Sequence, residues 1–145
     1  MSQYVSIYIK SGEKDPIKIG SYTRNFTKGR YLYDIAPYGS VIELSVSCLD
    51  ELCRDIDFDI QKEQSLILKN MNLISSIEKF DNSVDEKFEK IFEMYKDIDD
   101  IQEEIEEQSE TKQYFRFLQS IIGQTGNKLY FGCEVDENNI KIIKE

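Results

Sequence analysis

The stretch Phe80-Asp81-Asn82-Ser83-Val84-Asp85-Glu86-Lys87 decides how this chain is organised. It separates two long apolar periodicities. Ser83 and Glu86 have the spacing of a capping box, in which the Glu86 backbone N–H donates to the Ser83 hydroxyl and the Glu86 carboxylate reaches back to the Ser83 N–H. Upstream, Leu49, Leu52, Ile56, Ile60, Ile67, Met71, Ile74 and Ile77 recur mostly at three- and four-residue intervals, the spacing of an amphipathic helix. Ser47 is read as its N-cap, with Asp50 and Glu51 in the first turn, where carboxylates suit the helix dipole. Downstream, Val84, Phe88, Ile91, Tyr95, Ile98, Ile101 and Ile105 repeat the pattern, which continues through Phe115, Leu118 and Ile122 until Gly123 and Gly126 end it. The short break predicts an antiparallel hairpin over 47–123, with arms roughly 50–60 Å long at 1.5 Å per residue.

On either side of the hairpin the period changes to two. Tyr4 to Lys10 alternates Val5, Ile7 and Ile9 against Tyr4, Ser6 and Tyr8, and reads as a strand. Pro16 to Thr23 reads as a second strand, Asn25 to Gly29 as a loop, and the Tyr-rich Arg30 to Ile35 as a third strand. Pro37-Tyr38-Gly39 is a turn, and Val41 to Leu44 a short extended lead into the first helix. After the hairpin, Lys128 to Val135 alternates again, Asp136 to Asn139 is a turn, and Ile140 to Ile143 reads as a last strand. The expected fold is therefore α+β and a single domain, 1–145. Strands of 1–46 and 128–145 build one small antiparallel sheet from both chain ends, and the coiled-coil-like hairpin is inserted between them.

The 145 residues carry 28 acidic and 18 basic side chains, a formal charge of −10. The charge is uneven. Residues 1–40 hold six basic and three acidic residues, 41–127 hold nine and 21, and 128–145 hold three and four. Such a balance repels bare nucleic acid and anionic membranes and favours a basic partner. No run of about 18 apolar residues suggests a membrane span, and the N-terminus has no signal-peptide pattern. Cys48, Cys53 and Cys133 are odd in number and irregularly spaced, which fits buried thiols in a reducing, cytoplasmic setting. The chain has no His and no Trp and a single Ala, while Ile, Lys, Glu, Asp and Asn abound, a composition typical of an AT-rich genome.

Three features of the sequence are candidates to carry function. Asp97, Asp99, Asp100, Glu103, Glu104, Glu106, Glu107 and Glu110 form a carboxylate run with no basic residue between them. It reads either as a solvated face or as a contact for a protein with a basic surface, since like charges at helical spacing destabilise the helix that carries them. Tyr22, Arg24, Lys28, Arg30 and Tyr31 interleave aromatics with cations, the pattern of a single-stranded nucleic-acid platform, and read as structural packing, as contact with a protein or a small anionic ligand such as a nucleotide, or as a nucleic-acid contact. Near the hairpin turn, Leu66, Ile67, Ile91, Phe92 and Tyr95 widen the apolar stripe beyond one seam and predict a homo-oligomer, in the first instance a dimer. Catalysis finds little support: there is no His, no Gly-rich phosphate loop, no metal-ligand spacing and no nucleophile elbow, so no catalytic residue, cofactor or metal is expected.

The pieces Tyr4-Val5-Ser6-Ile7-Tyr8-Ile9, Ile19-Gly20-Ser21-Tyr22-Thr23-Arg24-Asn25, Ala36-Pro37-Tyr38-Gly39 and Phe80 to Lys87 together resemble small uncharacterised acidic proteins of phages and prophages of low-GC Gram-positive bacteria. The resemblance implies a setting and no activity: an accessory gene product in the host cytoplasm, of the kind that often inhibits a host defence protein. The expected function is thus a non-catalytic binding factor that blocks a host protein through its acidic helix. The alternatives are a self-assembling structural protein and a sequestering protein for a small anionic nucleotide.

Overall fold

The computed structural model describes residues 3–79, 84–124, 126–136, 138 and 140. Seven elements follow one another: β1 (Tyr4–Ser11), β2 (Ile17–Thr23), α1 (Thr27–Tyr33), β3 (Ile42–Glu43), α2 (Val46–Lys79), α3 (Val84–Ile122) and β4 (Asn127–Cys133). The strands form one antiparallel sheet in the order β2-β1-β4-β3, so both chain ends build it and the two long helices are inserted between β3 and β4. This is the α+β arrangement expected from the sequence.

The chain falls into two compact units, Met1–Arg54 with Thr111–Glu145, and Asp55–Glu110. In the first unit β1 is the central ladder. Val5, Ile7 and Ile9 stand opposite Cys133, Phe131 and Leu129 of β4, so the period-two apolar sets of both strands share one face. α1 packs against β1 and β2, and the first turns of α2 and the last turns of α3 contribute to the core of the same unit. Leu44, Leu49, Phe115, Leu118, Leu129 and Phe131 are fully buried there. Burial of a large apolar side chain is worth about 1.5–3 kcal/mol, so this cluster is the main source of stability in the unit. Arg116 of α3 reaches Asp50 of α2 at 2.7 Å, and Gln119 Nε2 donates to both Asp50 Oδ1, at 2.8 Å, and the Val46 carbonyl, at 3.1 Å. These contacts set the two helices antiparallel in this unit.

β2 forms the outer edge of the sheet. Its pairing with β1 slips between Ile7 and Tyr8, which leaves Ile19 as a bulged residue between Gly20 and Lys18. A bulge with a lysine beside it blunts an open edge against further strand pairing.

Three local expectations need correction. Arg30 to Ile35 is not a strand. Thr27–Tyr33 is a helical turn that buries Gly29, Tyr31 and Leu32, with the Arg30 N–H donating to the Phe26 carbonyl at 2.9 Å. Alternation would have buried every second residue, whereas here adjacent Tyr31 and Leu32 are both covered, as on a helix face. Gly29 makes this possible, because a Cβ there would stand 1.9 Å from the Thr23 carbonyl oxygen. Tyr favours strands in general, and tertiary packing overrides that preference at this site.

The cap of α2 is Ser45, not Ser47. The Cys48 N–H donates to Ser45 Oγ at 3.2 Å and the Leu49 N–H to the Ser45 carbonyl at 3.0 Å. The earlier start leaves no acid in the first turn. At the other end of the chain, the Ile140 N–H donates to the Asp136 carbonyl at 3.3 Å, a helical bond where a strand was expected. The rest of that strand, residues 141–143, lies outside the described residues, as do Phe80-Asp81-Asn82-Ser83 and with them the capping box.

The second unit, Asp55–Glu110, is a pair of helical arms. Among its described residues Ile56, Ile74, Ile98 and Gln108 are buried, and many of its large apolar side chains are exposed. A helix pair can cover only one narrow stripe on each arm, so the rest of the apolar surface is left to solvent.

Candidate interaction surfaces

On α3 the seam toward α2 is marked by buried Ile98 and Gln108 and half-buried Ile101 and Ile105. About a quarter-turn away runs a second line, spaced by four and three residues: Phe88, Phe92, Tyr95, Asp99, Glu103, Glu106 and Glu110. All seven are exposed, and the line changes chemistry between Tyr95 and Asp99. Its distal part is aromatic, with Phe88 68%, Phe92 72% and Tyr95 53% exposed. Its proximal part is carboxylate. Asp97, Asp100, Glu104 and Glu107 form a parallel line beside it, exposed except for half-buried Glu104. The eight acids singled out from sequence therefore make two adjacent rows on the side of α3 away from the seam.

The aromatic part continues onto α2. Tyr95 lines two shallow depressions: one with Phe88, Glu89, Ile91 and Phe92, the other with Leu68, Met71, Asn72, Ile74 and Ser75. Leu68 is 63% and Met71 52% exposed. The expected oligomer surface is thus redistributed. Phe92, Tyr95 and half-buried Ile91 belong to this patch, while Ile67 is half-buried and Leu66 stands on another side of α2, in line with exposed Leu73. Phe88 and Met71, read from their spacing as seam residues, are exposed. A one-residue drift around the helix separates seam from surface, and apolar spacing alone does not resolve it.

In the first unit the cation–aromatic stretch forms stacked pairs instead of a single cluster. Lys28 Nζ lies 4.6 Å from the centre of the Tyr114 ring and 5.7 Å from that of Tyr22. Arg24 stands over Tyr33 at 4.5 Å and Arg30 over Tyr31 at 5.5 Å. Tyr33 in turn donates its hydroxyl to Gln3 Oε1. The structure therefore joins Tyr22 with Lys28, and sends Arg24 and Arg30 to rings of their own. Tyr114 was not singled out from sequence; nothing in the sequence links it to Tyr22, 92 residues away. Burial, followed by the Tyr22 phenol beside it, pushes the Tyr114 phenol well above its ordinary range.

Elsewhere, hydrogen bonds from Gln119 and then Arg116 hold the Asp50 carboxyl below the usual carboxylate range. Cys53 and Cys133 are buried and Cys48 half-buried, none of them in a disulfide, and burial raises the Cys133 thiol. Among the described residues no group of three His, Cys, Asp or Glu is disposed to hold a metal ion. No helix among them is long and apolar enough to cross a membrane.

The site and fold thus define an α+β chain whose exposed chemistry is concentrated on an inserted helical hairpin. Comparison with protein-family models, curated proteins and solved structures finds no match to this chain.

Proposed function

We propose that this chain is a non-catalytic protein-binding factor that occupies a basic surface of its partner with the carboxylate rows of α3. The observation that carries the reading is the line Asp99, Glu103, Glu106 and Glu110, exposed along one face of a helix with no cation between residues 97 and 110. Each like-charged pair at helical spacing costs a few tenths of a kcal/mol, about 0.2–0.5, and a cationic partner relieves that repulsion on binding. Long-range attraction to such a partner also speeds encounter. The resemblance to phage accessory proteins gives the reading its setting: a factor in a host cytoplasm that inhibits a host protein by covering it.

The test is capture of partners from bacterial lysate with tagged protein, with and without nuclease, alongside a variant carrying Asp99→Lys, Glu103→Lys, Glu106→Lys and Glu110→Lys. A stoichiometric protein that survives nuclease and is lost from the variant in low salt is the expected result. Binding that persists unchanged in the variant removes the acidic contact. A second reading, self-association, is favoured by the exposed aromatic line on the distal part of α3.

A further inference from the structure

We infer that the aromatic face of the second unit seats a second copy of this chain, with α3 antiparallel to its mate about a two-fold axis level with Phe92 and Glu93. The inference rests on the self-association reading and supplies its geometry.

Area is the first argument. Leu68, Met71, Phe88, Phe92 and Tyr95 are each more than half exposed around two shallow depressions that share Tyr95. With about 200 Å² for a fully exposed large side chain, they present roughly 600 Å² of apolar surface. That is at the upper end of what a monomer leaves open. Two such faces together bury about 1,200 Å², the lower bound of a stable interface.

Charge is the second argument, and it selects the occupant. The chain as a whole is strongly acidic, yet residues 62–96 contain six basic and seven acidic side chains, so the arms that carry the patch do not repel their own kind. The edge of the patch is more specific. Glu89 and Lys96, both exposed, lie seven residues apart on the same flank of the Phe88-Phe92-Tyr95 line, about 10 Å from each other along the helix. They are too far apart to pair within one helix. A two-fold axis perpendicular to α3 reverses the helix direction but keeps each flank on its own side. The Glu89 flank of one copy therefore faces the Glu89 flank of the other. With the axis midway between Glu89 and Lys96, each Glu89 stands level with the Lys96 of the mate, and the two pairs close both ends of the contact. Phe92 meets Phe92 near the centre, and Phe88 and Tyr95 of each copy flank that contact. A foreign partner explains the exposed rings equally well, but it gives no reason for opposite charges placed symmetrically about Phe92.

Beyond Tyr95 the line becomes Asp99 and Glu103. Asp99 would stand level with the Glu86 position of the mate, acid against acid, so the contact ends there. The self-association surface and the acidic rows are therefore separate stretches of one helix.

Sedimentation equilibrium over a concentration series tests the geometry on the full chain and on Glu89→Lys, Lys96→Glu, the double exchange and Phe92→Glu. All three substituted positions are exposed, and circular dichroism verifies that each of the four variants keeps its helices. The expected result is a wild-type dimer and no dimer for Phe92→Glu. Each single charge exchange weakens the dimer about tenfold or more, and the double exchange restores it to within about threefold. A dimer that ignores both single exchanges, or a double exchange no better than the singles, overturns the antiparallel two-fold while leaving self-association in place. A wild-type monomer overturns self-association itself, and leaves the acidic contact to be judged by the lysate experiment.

Discussion

The Tyr22 hydroxyl donates to the Tyr114 hydroxyl at 2.9 Å, with the rings edge-on at 74°, and so fastens the end of β2 to the C-terminal part of α3. Tyr114→Phe keeps the ring beneath Lys28 and removes only this bond. The expected loss is about 1 kcal/mol, measured by chemical denaturation. The raised Tyr114 phenol adds a pH signature. The unfolded chain ionises this group from about its ordinary value of 10.0, before the folded chain does. Its contribution is thus complete below pH 10.0 and is lost as pH rises toward the folded value. Wild-type stability should fall more steeply above pH 10.0 than that of Tyr114→Phe.

Asp50 gives the opposite dependence. Its folded value is lowered by Gln119 and Arg116, so its contribution is present above the ordinary 3.8 and disappears as pH falls through the lower folded value. Asp50→Asn should melt below wild type at neutral pH, and the two curves should converge in acid below pH 3.8. A gap that persists in strong acid would show that the side chain acts through something other than its charge.

The two serines at the start of α2 should separate cleanly. Ser45→Ala removes the acceptor of the Cys48 N–H and should cost about 1 kcal/mol. Ser47→Ala, inside the exposed first turn, should change stability by no more than about 0.5 kcal/mol. Equal losses would contradict the assignment of the cap.

Two glycines should resist substitution for steric reasons. A Cβ on Gly29 would meet the Thr23 carbonyl oxygen at 1.9 Å, and one on Gly132 would meet the Ser40 carbonyl oxygen at 1.9 Å. Both neighbours are backbone and cannot rotate aside. Gly29→Ala and Gly132→Ala should each cost about 1–3 kcal/mol or more in denaturation experiments. Gly123→Ala, whose nearest neighbour would lie at an ordinary 3.5 Å, should stay near wild type.

Much of the architecture was legible in the sequence because periodicity is a direct record of burial. The alternation of Val5, Ile7 and Ile9 and of Leu129, Phe131 and Cys133 gave two strands whose faces do pair. The three–four spacing from Leu49 onward gave two long helices. The failures occur where burial is decided by distant parts of the chain. Tyr31 and Tyr33 look like strand residues until Gly29 is seen lying against Thr23. Ser45 and Ser47 are equally good caps on paper, and the position of Leu49 against the core selects the first. Among site residues, the acidic run and Phe92 were visible as composition. Phe88 and Met71 were assigned to the wrong side of their helices, because two arms leave a narrower seam than the spacing suggested. Tyr114 was invisible, since its partner is reached only through the folded sheet.

The connectivity of the sheet also fixes an order of events during synthesis. β1 pairs with β4 from Val5 opposite Cys133 to Ser11 opposite Asn127, so the central ladder joins two strands that lie on either side of both long helices in the sequence. The long helices form from contacts within their own span while the ribosome is still at work. Until β4 emerges, β1 and β2 can exist only as a two-stranded ribbon with one face uncovered, an assembly of marginal stability in water. The nascent chain must therefore keep Val5 and Ile7 waiting through the synthesis of both helices. The emergence of Asn127–Cys133 converts a loose ribbon into a closed core.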